Sequence, residues 1–409
     1  MPNYFKNTEL AERYNISEAT VRNWIKSTKE GRLNLDLTES RGRVYVTDSI
    51  SNIALIEGFV EQNRKYRNSL SNKSIKPKRE FFETFTYEQI GDILRNIELH
   101  HETPRQYCYF GEGAQEWDDY IKKQLEVPTP SVVRREIELL SANYSYIDQR
   151  LAQFERVNVV DVGVGNAVPA RDLIDHLKQK GKFGRYIAID SSPDMLSIAE
   201  KNLKRWFGDD FDFEGHLIDV AKQSFSGILA EDYIKSEGRA MNLVLFLGAT
   251  PTNFRVPGDA FRIICESMYP DDLMIYTDKV EVGEEPPEWF RHSYDSGPRE
   301  PELLVRHRFV LDLLGIDQSL YSAEVGYDRE KRQKFARAEL KFGLTLRINF
   351  GDNDKTLQLE KGSRITVWRS WRMTHNGLVD LIEKSGFYVT HSSQTKDRYI
   401  LTIAEPHHD

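Results

Sequence analysis

The run Val157-Asn158-Val159-Val160-Asp161-Val162-Gly163-Val164-Gly165 constrains this chain more than any other stretch. Its branched apolar residues read as a strand buried on both faces, as in a parallel sheet covered by helices. The strand ends in an acid and two glycines. Gly163 and Gly165 permit a sharp turn and, lacking side chains, let a ligand approach the backbone. The helix expected next, Ala170 to Lys178 with Leu173, Ile174 and Leu177 on one face, would aim its N-terminal amides at that ligand. The ligand is therefore expected at the carboxyl end of the strand.

The neighbouring residues indicate which ligand. Dinucleotide folds use G-x-G-x-x-G, but the third position here is Val168, and Asp161 stands two residues before the first glycine. Both departures favour S-adenosylmethionine over NAD. Asp190 closes a second strand, Tyr186-Ile187-Ala188-Ile189, where a carboxylate can accept hydrogen bonds from both ribose hydroxyls, and His216-Leu217-Ile218-Asp219 offers a third strand-end acid for the adenine side. The competing reading is an ordinary α/β turn with surface acids, since G-x-G alone is a weak signal.

A chain of 409 residues with 39% hydrophobic content accommodates two or three domains. It has no apolar run of transmembrane length and no basic-then-apolar start, so the expected compartment is the cytoplasm. Cys108 and Cys265 are too few for a disulfide framework and suit packing in a reducing interior. His100-His101 and His407-His408 lack a spaced partner set, so no metal site is expected.

Charge is uneven: residues 1–80 hold 15 Lys and Arg against 10 Asp and Glu, in a chain of net charge −8. That end suits a polyanion. Thr8 can cap a helix through Tyr14, Asn15 and Ile16 make a turn, and Ser17 caps a second helix, Glu18 to Ser27, with Ala19, Val21, Trp24 and Ile25 as its apolar contacts. This is helix-turn-helix spacing. Arg22, Asn23, Lys26 and Lys29 would then be exposed to base edges and phosphates, and Arg41 and Arg43 in the hairpin-like Arg41-Gly42-Arg43-Val44-Tyr45-Val46 would form a basic wing. The segment resembles the winged helix-turn-helix headpiece of MerR-type regulators; a plain helical hairpin is the alternative. Ser49 to Tyr66 reads as one helix with an apolar stripe of Ile50, Ile53, Ala54, Ile56, Phe59 and Val60, which would either pair two chains as a homodimer or pack on the headpiece. The polar, basic, proline-containing stretch 68–80 reads as a linker.

Further along, Tyr109-Phe110-Gly111-Glu112-Gly113-Ala114-Gln115-Glu116-Trp117, Val127-Pro128-Thr129-Pro130, the glycine loop and Leu245-Phe246-Leu247-Gly248-Ala249-Thr250-Pro251-Thr252-Asn253-Phe254 occur in order. Together, across about residues 81–405, they resemble the histidine Nα-methyltransferase family of ergothioneine biosynthesis. The resemblance implies a Rossmann domain, here 146–281 with 376–409, carrying a substrate-binding domain, here 81–145 with 282–375, behind a headpiece of residues 1–67. It also implies that Asn253 and Tyr294 hold an amino acid's α-amino and carboxylate groups, and it places Tyr109 at the family's tyrosine in Y-D-x-x-G. Near the end, Ser370 is retained, but Trp368 falls where the family has the glutamate that grips the imidazole. An aromatic face in that place favours a different acceptor group, aromatic or cationic; a core tryptophan is the plainer alternative.

Amino-group methylation of bases uses Asn or Asp followed by Pro-Pro-aromatic after the fourth strand, whereas this chain has Gly248 to Phe254 there, and neither cysteine follows a proline as cytosine C5 chemistry needs. The expectation is thus an α/β chain: a Rossmann-type S-adenosylmethionine methyltransferase with an inserted second domain and an N-terminal winged helix-turn-helix module, acting on the amino group of an amino acid or related small molecule. The alternative is a DNA-binding regulator whose methyltransferase-like domain senses S-adenosylmethionine or a metabolite without turnover.

Overall fold

A computed structural model describes residues 4–14, 16–127, 131–235, 239–248, 250–281, 302–351 and 353–407, without the side chains of 62–71, 231–233 and 235. The chain divides into two compact units, Met1–Lys73 with Phe342–Leu344, and Ser74–Lys341 with Thr345–Asp409. None of the described helices is long and apolar enough to cross a membrane.

The first unit runs β1 (Tyr4–Phe5), α1 (Asn7–Arg13), α2 (Glu18–Lys29), β2 (Leu37–Ser40), β3 (Arg43–Thr47) and α3 (Ile50–Ser71), with its strands in the antiparallel order β1-β3-β2. Ser17 caps α2 by accepting the Thr20 N–H at 3.2 Å, which satisfies one orphan donor of the first turn. Thr8 does not cap α1: the helix begins at Asn7, and Glu9 accepts the Lys6 N–H at 2.8 Å. The β2–β3 turn places Arg41 and Gly42 at φ of 49° and 71°, as a two-residue hairpin loop demands. Leu10, Val21, Trp24, Ile25, Val46 and Ile56 form the core. Ala19 is exposed instead. Of the α3 stripe, Ile56 is buried with Phe59 and Val60 packed against it, whereas Ile50 and Ala54 face solvent. The position that ties α3 down is polar: the Asn52 amide accepts from Asp36 N and donates to the carbonyls of Asp36 and Thr47, all at 2.8–2.9 Å. Residues 68–80 hold more regular structure than a linker composition suggests, namely the end of α3, the strand β4 (Lys73–Ile75) and the start of α4 (Arg79–Thr84).

In the second unit α4 is followed by α5 (Tyr87–His100), a 3-10 turn at Arg105–Tyr109, α6 (Glu112–Glu126), α7 (Val132–Ala142) and α8 (Tyr144–Leu151). Strands and helices then alternate: β5 (Arg156–Val162), α9 (Arg171–Gln179), β6 (Phe183–Asp190), α10 (Pro193–Phe207), β7 (Phe213–Leu217), α11 (Ser226–Lys235), β8 (Ala240–Phe246), α12 (Pro257–Ser267) and β9 (Leu273–Lys279). After α13 (Val305–Leu313) come β10 (Tyr321–Asp328), β11 (Gln333–Leu340), β12 (Leu344–Phe350), β13 (Asn353–Leu359) and β14 (Arg364–Trp371), and the chain closes with α14 (His375–Lys384), β15 (Phe387–Gln394) and β16 (Tyr399–Pro406).

The main sheet has the order β15-β16-β9-β8-β5-β6-β7, parallel from β9 through β7, with β16 and β15 antiparallel at the other edge. Both faces are covered. Val157 and Val159 pack with Leu173, Ile174 and Leu177 of α9, while Val160 and Val162 pack on the opposite side with Phe246, Phe261 and Tyr276. That is why β5 reads as an unbroken apolar run rather than an alternating one. Burying each such side chain contributes about 1.5–3 kcal/mol. A separate antiparallel sheet, β10-β11-β14, lies in the segment between β9 and α14. Its β11–β14 pairing carries a bulge: Ala336 opposes Trp368 and Arg337 opposes Thr366, leaving Val367 as the extra residue.

Candidate active site

The carboxyl ends of β5, β6 and β8 open onto a cavity of about 360 Å³ in the second unit, a size that suits a small-molecule ligand. Asp161, Gly163, Gly165, Asp190, Asp219, Tyr109, Asn253, Trp368 and Ser370 all line it. The sequence separates these residues by as much as 261 positions, and the fold brings them to one space. Tyr294 lies outside the described residues. Arg22, Asn23, Lys26, Arg41 and Arg43 belong to the first unit, where all five are exposed, and Arg22, Lys29 and Arg43 face one shallow concavity between α1, α2 and β3.

At the ends of β5, β6 and β7, three acids face the cavity. Gly163 and Gly165 adopt φ of 68° and 53°, values that other residues rarely accept. Asp190 Oδ1 accepts from Ser192 N at 2.9 Å and Oδ2 from Gly165 N at 3.4 Å, which fixes the carboxylate at the end of β6. Burial raises its pKa to about 6. Asp161 is 4% exposed and accepts a hydrogen bond from the Tyr186 hydroxyl; burial raises its pKa to about 7, against the lowering effect of that bond. Asp219 accepts from Ala221 N at 3.1 Å and from the Gln106 amide at 3.1 Å, so the turn before α6 reaches over the end of β7.

The facing wall comes from elements outside the alternating sheet. Trp117, Tyr120, Ile121 and Gln124 line the cavity from one side of α6, the spacing of a single helical face. The Tyr109 ring meets Trp117 edge-on with centroids 5.6 Å apart, Trp117 and Tyr120 stack at 5.6 Å, and the Arg306 guanidinium lies 5.5 Å from the first ring of that stack and 5.2 Å from the second. Arg306 is held by Glu116 at 3.0 Å. Arg105 lies over the Tyr109 ring at 4.5 Å and donates to its hydroxyl. β14 presents Trp368 and Ser370, with Arg372 just beyond its end; this is the every-second-residue face of a strand. His307 stacks on Trp368 with centroids 5.5 Å apart and planes 13° from parallel. Burial, with Arg105 and Arg306 nearby, lowers the His307 pKa well below its ordinary value, so its imidazole is neutral. Asn253, in a short 3-10 turn after β8, has its Oδ1 buried without a hydrogen bond among the described residues.

Sequence reasoning missed Glu136, Arg105, Arg306, His307 and Arg372 as wall residues. Two of these carry a legible signal. Arg372 continues the alternation of Trp368 and Ser370, and Glu136 occupies an apolar position of α7, whose buried residues are Val133, Glu136, Leu139 and Leu140.

The residues present fit S-adenosylmethionine. A turn opened by Gly163 and Gly165 follows β5, a fixed carboxylate at β6 can take two ribose hydroxyls, an acid lies beyond β7 for the adenine side, and the cavity continues past them toward β8.

The chain matches the model of the family described as histidine-specific, S-adenosylmethionine-dependent methyltransferases over residues 88–405. No curated protein matches it. Among solved structures, an S-adenosylmethionine-dependent methyltransferase from Clostridium acetobutylicum aligns at 9% identity and a TM-score of 0.40, covering 72% of this chain and 99% of that one. The CcbJ methyltransferase from Streptomyces caelestis aligns at 13% identity and a TM-score of 0.36, covering 68% and 97%. DhpI, solved in complex with S-adenosylhomocysteine, aligns at 11% identity and a TM-score of 0.34, covering 72% and 94%. The family match spans most of the chain, including every described residue that lines the cavity, and the chain therefore belongs to the family of histidine-specific, S-adenosylmethionine-dependent methyltransferases.

Proposed function

We propose that this methyltransferase acts on the amino group of an amino acid or related small molecule. The observation that carries the reading is the pair Asn253 and Glu136 on the β8 side of the cavity: two acceptor groups beside the end of the sheet, where an amine's donors would find partners. The family match supports an amino-acid acceptor. In this reading Asp190 holds the ribose, Asp219 the adenine side, Gly163 and Gly165 admit the cofactor to the backbone, and Asp161 supports the turn from below. S-adenosylmethionine supplies an electrophilic methyl group when bound. This chain's own residues then align the acceptor and exclude water, with Asn253 and Tyr109 positioning the nitrogen and Ser370 and Trp368 receiving the side group. Positioning of this kind supplies most of the rate where no covalent help is needed.

Histidine's imidazole would find no carboxylate among the described residues of the far wall to accept its N–H. Trp368 stands where the resemblance places a glutamate, and the wall beside it carries Arg306 and Arg105; a positively charged side group would meet cations there. A neutral planar side group would lie on Trp368 and Tyr120 instead. The first unit we read as a winged helix-turn-helix that binds DNA, supported by the Ser17-capped α2, the β2–β3 hairpin and the exposed basic residues of both.

The deciding experiment incubates the purified chain with S-adenosylmethionine and separate amino acids and finds the methyl group by mass spectrometry. A product heavier by one methylene, with the methyl group on nitrogen, is expected, and from a neutral aromatic amino acid in preference to histidine. Methylation of oxygen or carbon, or bound cofactor that is never consumed, would overturn the reading.

A further inference from the structure

Of the four carboxyls in the described cavity wall, Glu136 alone lies on the β8 side, beside Asn253. It sits on α7, capped by Ser131, and is 5% exposed. Among the described residues its carboxyl has no hydrogen-bond or ion-pair partner; burial, and then the charge of Asp278, are what act on it. An acid in the apolar stripe of a helix, between Val133 and Leu139, costs the fold stability unless something pairs with it. Glu136 lines the cavity, so a partner can reach it from there.

Its place in the sheet says what enters. The acids suited to adenosine, Asp190 and Asp219, follow β6 and β7, on one side of β5. Glu136 is on the other side: a Cβ built on Gly248, two residues past the end of β8, would lie 3.3 Å from its Oε1. A cofactor whose adenosine is held by Asp190 and Asp219 would extend its other end toward β8, and Asn253 follows in the same loop with a buried Oδ1 that has no hydrogen bond among the described residues. The groups around Glu136 are Asp278 and Tyr276 of β9, Tyr399 of β16, and Arg372, which faces Asp278. Asp278 is already engaged by Tyr276 at 2.8 Å and Thr252 at 3.2 Å, so Glu136 is the acid with capacity to spare.

We propose that Glu136 is a catalytic residue that binds the incoming ammonium of the acceptor at the point of transfer and takes its proton. This rests on the amino-group reading above. In the step, an N–H bond breaks and its electron pair stays on nitrogen as the lone pair while the proton passes to the Glu136 carboxylate. The nitrogen then forms the N–C bond to the methyl group, and the C–S bond breaks with its pair remaining on sulfur. The remaining protons stay on the methylated amine, and Glu136 returns its own to solvent when product leaves. Burial, and then the charge of Asp278, hold the Glu136 carboxyl at a pKa of about 8, so a cation entering the site is what ionises it.

The test uses sinefungin, a cofactor analogue that carries a primary amine where S-adenosylmethionine carries its methyl group, against S-adenosylhomocysteine, which carries neither. Both are titrated calorimetrically into the full-length chain and into Glu136→Gln and Glu136→Ala. Wild-type protein is expected to bind sinefungin about tenfold or more tightly than S-adenosylhomocysteine, the scale of a hydrogen bond to a charged group. Both variants should lose that margin and keep their affinity for S-adenosylhomocysteine. No margin in the wild type, or a margin that survives in the variants, overturns the proposal; equal loss of both ligands also overturns it, because it marks Glu136 as structural. A product methylated on oxygen or carbon removes the amino-group reading and this proposal together, whereas a failed margin beside an N-methylated product removes Glu136 alone.

Discussion

Asp190 and Asp161 stand 29 positions apart in the chain and one strand apart in the sheet, yet the protein treats them differently. Asp190 takes two backbone N–H groups and remains turned to the cavity, while Asp161 is bound from below by Tyr186. Replacing Asp190 with Ala should therefore lower S-adenosylmethionine affinity by about 10- to 100-fold, the cost of losing hydrogen bonds to a charged acceptor; calorimetry that returns unchanged affinity would remove it from the cofactor site. The same two residues set a pH dependence. Their folded pKa values, about 7 for Asp161 and about 6 for Asp190, lie above the ordinary aspartate value of about 3.9. Between that value and about 7 the folded chain binds more protons than the unfolded one, so their contribution to stability falls as pH rises through the window and levels off above it. Thermal melts of the ligand-free chain should show a lower midpoint at pH 8 than at pH 5.5, and Asp161→Asn should flatten the decline. At this scale much was legible: an acid closing a buried strand needs only the local sequence to be seen. Glu136 was harder, because Arg134-Arg135-Glu136-Ile137-Glu138 looks like a solvated helix face, and only the spacing from Val133 to Leu139 and Leu140 reveals which of its charges turns inward.

Among the elements, α6 depends on a single residue, Gly113, for its place. A Cβ on Gly113 would come within 2.0 Å of the Cys108 carbonyl oxygen and 3.8 Å of the Arg306 Cα, so the first turn of α6 packs directly on the 3-10 turn before it. Gly113→Ala should destabilise the chain by about 1–3 kcal/mol, the usual cost of forcing an atom into closed packing, and urea unfolding will measure it. Activity should fall further than stability, since α6 carries Trp117 and Tyr120 into the cavity. The sheet strands β5, β6 and β8 were readable because burial on both faces leaves a continuous apolar signature. A cap at Thr8 puts the first helix two residues late, because the cap is Lys6 and a Glu9 carboxylate reaching back to the Lys6 N–H does the work expected of a cap side chain. The α3 stripe was overread for a different reason: Ile50 and Ala54 keep the helical period, but Asn52 makes the anchoring bonds, and no periodicity can show that.

For the molecule as a whole, a basic end and a larger acidic remainder are visible in charge alone: residues 1–80 hold 15 Lys and Arg against 10 Asp and Glu in a chain of net charge −8. The cavity wall was less visible, because it is assembled from α6, α7, α13 and β14, which lie far apart in the chain. If the first unit binds DNA, affinity should fall steeply with added salt, and Arg22→Ala and Lys26→Ala should each reduce the slope of log affinity against log salt by about one. Gel shifts at several ionic strengths give both quantities, and binding that ignores salt would count against a nucleic-acid partner.

The bulge at Val367 carries a consequence for how such a cavity changes its acceptor. By inserting one residue into β14, it sets the phase in which Trp368, Ser370 and Arg372 reach the cavity and Arg369 and Trp371 turn to their own partners, Glu102 and the Phe254 carbonyl. Deleting Val367 would leave both registers as they are, since Trp368 already pairs with Ala336 and Thr366 with Arg337, whereas deleting Arg369 from the regular run would exchange the faces of the strand residues after it. On the reading proposed above, acceptor choice is then written partly in phase rather than in identity: losing one residue from the regular run turns the rest of that strand at once, where point substitution alters it one side chain at a time.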